Sequence, residues 1–205
     1  MFERAYKKEL GSVTNDERLI SDLWNEIQTQ YAKSTRYYHN LSHLDKLTTL
    51  LSKVFEKIQD WQTVVFSIAY HDIIYDSLKK DNEEKSAALA SQRLMKLGIS
   101  EGQREKCIAQ ILATKGHQIA EEGDTNYFTD ADLAILGSVS EEYKQYTKWI
   151  RKEYKFYPDL IYKPGRKKVL QHFLQMPFIY KTDHFRMLFE EKARVNMENE
   201  LKELK

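Results

Sequence analysis

Seven glycines and three prolines in 205 residues leave this chain with few places to turn sharply. Gly and Pro together usually make up about 12% of a globular chain. Sandwiches and barrels need a tight turn after every short strand, and those turns draw on the two residues. Their scarcity predicts long helices instead. Apolar spacing agrees, because segment after segment repeats at the helical period. Ile20, Leu23, Trp24, Ile27 and Tyr31 form one stripe behind a Thr14–Glu17 capping box. Leu44, Leu47, Leu51, Phe55 and Ile58 form a second, with Asn40 or Ser42 as N-cap. Asp60 opens a more apolar helix through Val64, Val65, Ile68 and Ala69, ending near His71–Tyr75 and central to the bundle. Asp81-x-x-Glu84 and Ser100-x-x-Gln103 open two more, stopped by Gly98 and Gly116. His117–Phe128 is polar and reads as a loop, followed by a short helical piece, Thr129–Leu136, closed by Gly137. Tyr143, Tyr146 and Ile150 line a helix ending before Pro158. Val169, Leu170, Phe173 and Leu174 mark one halted at Pro177, and a last runs from Asp183 through Leu201. The expected fold is an all-α bundle. With no repeat and no low-complexity linker, a single domain over 1–205 is expected.

Charge and cysteine content remove several classes of function. Thirty-two Lys and Arg against 31 Asp and Glu give a net charge of +1, so the chain has no global field for nucleic acid or anionic membrane, and neither partner is expected. Lys163, Arg166, Lys167 and Lys168 form the one basic patch, read as a solvated helix face. Cys107 stands alone, which excludes an intrachain disulfide and a Cys-cluster zinc site. A lone thiol, no apolar leader and a mean hydropathy of −0.66 lead to a cytoplasmic expectation.

Histidines and acids carry what chemistry the sequence advertises. His39 and His43 are four apart and share a face if both are helical, a spacing suited to metal ligation. If Ser42 is the cap, only His43 is helical. His71-Asp72 ends the most apolar helix, where a carboxylate must be paired or metal-bound to offset its desolvation. Asp130 and Asp132 precede an apolar turn; Asp130 suits a helix cap, whereas Asp132 lies between Ala131 and Leu133 and suits an inward position. His172, beside Phe173, reads as a core histidine, and His184 as a surface one.

Taken together, His…His-Asp…Asp in that order on a helical chain resembles the HD superfamily of metal-dependent phosphohydrolases, from about Thr35 to Gly137. Ala131-Asp132-Leu133 is similar to the superfamily's last motif and selects Asp132 over Asp130. The resemblance implies a single HD-type domain, with its motif core at about 35–137 and helices 140–205 packing on it. It further implies a divalent ion (Mn, Fe, Mg, Ni or Zn) on His43, His71, Asp72 and Asp132, with Asp72 part of the catalytic set. Tyr38-His39-Asn40-x-x-His43 is similar to the start of cyclic-nucleotide phosphodiesterase domains, which implies a proton-donor role for His39. That likeness ends with the string, so no cyclic nucleotide is implied. The whole chain is similar to a small bacterial subgroup of such phosphohydrolases, including Asn82–Ser86 and Ala193-Arg194-x-Asn196.

The implied activity is hydrolysis of a phosphate ester of a small, nucleotide-like substrate by a metal-bound hydroxide. The alternative is a helical module that keeps the pocket and senses a ligand without turnover. Equatorial phosphoryl charge needs fixed cations. Candidates are Arg36, Lys115 and Arg194, each with an ordinary alternative: a solvated side chain, or for Arg194 an ion pair with Glu190 four residues earlier. His117 is either a further proton donor or metal ligand, or a cap on the preceding helix.

Overall fold

The structure, a computed structural model, describes residues 1–204. Among them are ten α-helices and no strand, so the chain is all-α. The chain divides into two compact units, residues 1–129 and 130–205.

The first unit holds α1 (Phe2–Gly11), α2 (Glu17–Tyr31), α3 (Leu41–Ser52), α4 (Trp61–Tyr70), α5 (Asn82–Lys96), α6 (Glu101–Ala113) and most of α7 (Gly123–Leu133). Every residue of α4 from Thr63 to Tyr70 is buried. Such a helix must be covered on all sides, and α1, α3, α5 and α6 pack against it. Each of Val64, Val65, Phe66 and Ile68 contributes about 1.5–3 kcal/mol by leaving water. Tyr6 of α1 meets Phe66 edge-on and shares a 2.9 Å hydrogen bond with the hydroxyl of Tyr70. Asp60 caps α4 as expected, accepting from the backbone N–H of Thr63 at 3.0 Å. Gly98 ends α5 at φ +73°, the left-handed position that glycine takes without strain.

Three features differ from the sequence reading. Helix α1 adds to the expected elements; its Phe2, Tyr6 and Leu10 recur every fourth residue and are buried. Asp16, not Thr14, caps α2, accepting from the N–H of Leu19. The largest difference is α7, which begins at Gly123, inside the stretch 117–128 expected to be a loop, and runs on into the helical piece expected from Thr129. Its Gly, Asp, Thr and Asn are poor helix formers, but several are buried and hydrogen-bonded. Glu122 caps it through the N–H and hydroxyl of Thr125. Asp124 is buried and accepts from the backbone N–H groups of Gln59 and Asp60 at 2.9 and 2.8 Å, holding the turn that starts α4.

The second unit holds the end of α7, a 3₁₀ turn at Ala134–Gly137, α8 (Ser140–Glu153), α9 (Asp159–Gln175) and α10 (Asp183–Glu203). Helix α10 lies directly on the 3₁₀ turn. A Cβ on Gly137 would stand 2.5 Å from Phe189 Cβ and from the Phe189 carbonyl oxygen. Asn196 closes the contact by donating to the carbonyls of Leu136 and Ser138, both at 2.9 Å. Helix α9 starts at Asp159, well before the stripe at Val169–Leu174, and continues through Pro164. Arg166 leaves the expected solvated face. It is buried and bound to Glu200 by two hydrogen bonds at 2.7 and 2.9 Å. His172 is exposed rather than in the core. No helix among the described residues is long and apolar enough to cross a membrane.

Candidate metal centre

Asn40 settles where α3 begins. Its side-chain oxygen accepts from the N–H and the hydroxyl of Ser42 at 2.9 and 2.7 Å, and its amide donates to the Tyr37 carbonyl. His39 therefore precedes the helix and His43 falls in its first turn. The two rings do not share a helical face, contrary to one reading of their spacing. Both still approach one place: His39 from the turn, His43 from the helix, with centroids 5.8 Å apart.

His71 follows the last residue of α4, and its ring is 1% exposed. Its Nδ1 lies 3.1 Å from the carbonyl oxygen of Ile68. A carbonyl only accepts, so Nδ1 carries the proton and Nε2 presents its lone pair. That Nε2 faces His43 Nε2 at 3.2 Å and Asp72 Oδ2 at 3.1 Å. His71 Nε2 and Asp72 Oδ2 thus face each other with no proton between them, and His43 Nε2 stands beside them. A second proton on His71 would satisfy Asp72, whereas a divalent ion would satisfy Asp72 and, with both Nε2 atoms unprotonated, the two imidazoles. Two imidazoles and a carboxylate are the borderline donors that first-row divalent ions prefer, so the residues fit the ion that the motif implies.

Asp72 is the local anion. Burial opposes its ionisation, but the imidazoles of His71, His39 and His43, when protonated, outweigh it and hold the carboxyl well below the usual carboxylate range. The backbone N–H of Asp72 is held by the Tyr31 hydroxyl at 3.2 Å. His39 Nε2 stands 3.9 Å from Asp72 Oδ2, beyond hydrogen-bond reach but close enough for charge coupling. Its ring lies against Tyr75, centroids 4.4 Å apart and tilted by 32°, and meets Tyr38 edge-on at 4.9 Å. Sequence reasoning did not single out Tyr75 or the Ile68 carbonyl. Neither belongs to a recognisable motif, and a backbone acceptor carries no side-chain signature.

Asp130 and Asp132 separate clearly. Asp130 is fully buried and accepts from the backbone N–H groups of Lys181 and Thr182, both at 2.8 Å, and from the Thr182 hydroxyl at 2.7 Å. Burial raises its carboxyl above the ordinary value, although Lys181 and these donors pull the other way. It holds the residues that lead into α10 and does not cap its own helix. Asp132 stands on the last turn of α7, four residues beyond Phe128 and so on the same helical face. The Phe128 ring meets His71 edge-on at 5.7 Å.

The residues expected to bind substrate have other engagements. Arg36 is 6% exposed and donates to the carbonyls of His39, Asp72 and Ile73 at 3.2, 2.6 and 2.8 Å. Its guanidinium also lies over the Tyr31 ring at 4.7 Å. It ties the two histidine-bearing segments together through their backbones. Lys115 pairs with Glu84 and donates to the Lys80 carbonyl at 2.9 Å; the bond to Glu84 holds its ammonium above the ordinary value. Arg194 bonds Glu190 at 2.8 Å and the carbonyls of Leu174, Met176 and Pro177, closing the end of α9. His117 is buried at φ +50°, and its backbone N–H closes α6 on the Ala113 carbonyl at 2.9 Å. That conformation costs a non-glycine residue of order 1 kcal/mol. Asn82 and Ser86 bind the loop after Asp72, through Asp76 and Ile74 respectively. Comparison with protein-family models, with curated proteins and with solved structures finds no match for this chain.

Proposed function

We propose that the chain is a metal-dependent phosphohydrolase acting on a small phosphate ester, with His43, His71, Asp72 and Asp132 as the residues that hold a divalent ion. The observation that carries this reading is the convergence of His43 Nε2 and Asp72 Oδ2 on the unprotonated Nε2 of His71. When bound, such an ion activates water and polarises the phosphoryl group.

The chain's own residues divide the remaining work. The Ile68 carbonyl keeps the His71 proton on Nδ1, so Nε2 stays available as a donor atom. Asp72 places negative charge 3.9 Å from His39 Nε2. His39, set against Tyr75, then gives its proton to the departing oxygen of the ester. Arg36 keeps the turn of His39 and the segment of Asp72 in register by bonding both backbones. In this reading Arg36 positions the site and Lys115 and Arg194 have no substrate role.

A second reading, a ligand-sensing module without turnover, is favoured by one observation. Arg36, Lys115 and Arg194 are all committed to protein partners, which leaves them unsuited to match the charge of a reacting phosphoryl group. Assay of the metal-loaded protein against a panel of phosphate esters and nucleotides separates the two. Chelator-sensitive release of phosphate or of a phosphomonoester supports the enzyme. Metal bound at one equivalent with no hydrolysis of any ester would overturn it in favour of the sensor.

A further inference from the structure

The turn between α8 and α9 exposes three large apolar side chains together. Phe156 is 65% exposed, Leu160 87% and Ile161 57%. Leu160 and Ile161 are in the first turn of α9, and Phe156 is in the segment leading into it. Pro158, also exposed, stands between them. Single exposed apolar residues are common, but three within six residues of one turn are not.

The charge around this tip is one-sided. Residues 144–168 contain nine Lys and Arg, one of them the buried Arg166 paired with Glu200, against two acids, in a chain whose net charge is only +1. Of the two acids, Glu153 is buried, and Asp159 is exposed at the tip but paired with Arg151 through two hydrogen bonds at 2.7 and 3.1 Å. Lys148, Lys152 and Lys155 are exposed at intervals of four and three residues and so lie along one side of α8 and its end. Lys155 Nζ stands 5.3 Å over the Phe156 ring, so cation and apolar surface share one place. Behind the tip, Tyr154, Tyr157 and Tyr162 form a half-buried cluster with centroids 6.0 Å apart, and Arg151 covers Tyr162.

We propose that the α8–α9 turn is a peripheral membrane-docking tip, in which Phe156, Leu160 and Ile161 enter an anionic leaflet while the flanking lysines face its phosphates. Exposed apolar side chains beside exposed lysines match the two layers of such a surface, acyl chains beneath negative headgroups. Tyrosines one step back fall at headgroup level, where their amphipathic rings are favoured. A protein partner would need a groove shaped for the tip, whereas a bilayer needs none. The whole-chain charge conceals this feature, because acids elsewhere cancel a locally basic element.

Vesicle flotation of the full chain tests the proposal. Vesicles of phosphatidylcholine with about one third phosphatidylserine should carry the protein at least tenfold better than phosphatidylcholine alone, and high salt should release most of it. Leu160→Asp with Ile161→Asp, and separately Lys152→Glu with Lys155→Glu, should abolish flotation. All four side chains are exposed, so circular dichroism and Tm should not move. In Phe156→Trp, emission should shift to the blue when the anionic vesicles are added. Equal binding to both vesicle types, or unchanged binding of the double-aspartate variant, would overturn the proposal. So would self-association of the parent chain that Leu160→Asp abolishes while neither binds vesicles, since the tip would then join copies of the protein.

Discussion

Asp130 accepts the backbone N–H and the hydroxyl of Thr182 at 2.8 and 2.7 Å, so the fully buried member of the Asp130/Asp132 pair is occupied in holding the start of α10. A carboxylate with these partners has a structural task. Its neighbour two residues on is the ligand in the proposed site. Asp130→Ala should therefore lower stability by about 2–4 kcal/mol, because buried amides lose their acceptor, yet leave metal stoichiometry unchanged in the protein that folds. Asp132→Ala should do the reverse, losing metal with little change in Tm. Elemental analysis beside thermal unfolding reads both; equal metal loss in the two variants would refute the assignment.

His39 is predicted to donate a proton and not to bind metal. His39→Ala should keep its metal, whereas His43→Ala should lose it. Hydrolysis of an ester with an alkoxide leaving group should slow by roughly 10²–10⁴-fold in His39→Ala. A nitrophenyl ester, whose leaving group needs little protonation, should be cleaved almost normally. Equal slowing on both esters would make His39 a ligand or a structural residue.

Arg36 bonds three carbonyls in two directions with a planar fork that lysine does not have. Arg36→Lys should thus resemble Arg36→Met in destabilising the protein by about 2–4 kcal/mol, since buried carbonyls lose their donors. Both should also weaken metal binding, because the turn before α3 and the segment after α4 lose their link. Full rescue by lysine in a metal titration would show that charge alone matters there.

Gly137 should tolerate no side chain. Phe189 approaches it with its backbone as well as its Cβ, so Gly137→Ala forces α10 off the 3₁₀ turn. A loss of about 1–3 kcal/mol or more is expected in chemical denaturation. Gly102, where an added Cβ meets nothing, serves as the control and should lose little as Gly102→Ala.

Alkaline conditions should unfold the protein cooperatively. Burial pushes the Cys107 thiol from 9.0 up to about 12, and the Tyr162 hydroxyl from 10.0 to about 12. The folded chain then keeps protons that the unfolded chain releases, so stability is full below about pH 9 and falls between pH 9 and 12. Cys107 adds a slope of about 1.4 kcal/mol per pH unit in that window. Tyr162, partly solvated, adds less. Denaturant midpoints measured from pH 8 to 11 should fall steadily, and a thiol reagent at pH 8 should label Cys107 only after unfolding.

Several helices and their type followed from the sequence where the cue was local. Asp60, Ser100 and Gly98 act on residues within one turn of themselves, so cap and stop signals could be read directly. The histidines and acids of the candidate site were singled out by a family resemblance in their order along the chain, since each piece alone also suits an ordinary helix end. Only tertiary structure decided α7, whose polar Asp124, Thr129 and Asp130 are buried because segments 65 and 51 residues away in sequence need their oxygens, or because the helix turns them inward. A polar residue buried against a distant backbone amide looks identical, in sequence, to one in water. The same holds for Arg36, Lys115 and Arg194: charge is written in the chain, but whether a carbonyl or a substrate receives it depends on which segments folding brings alongside.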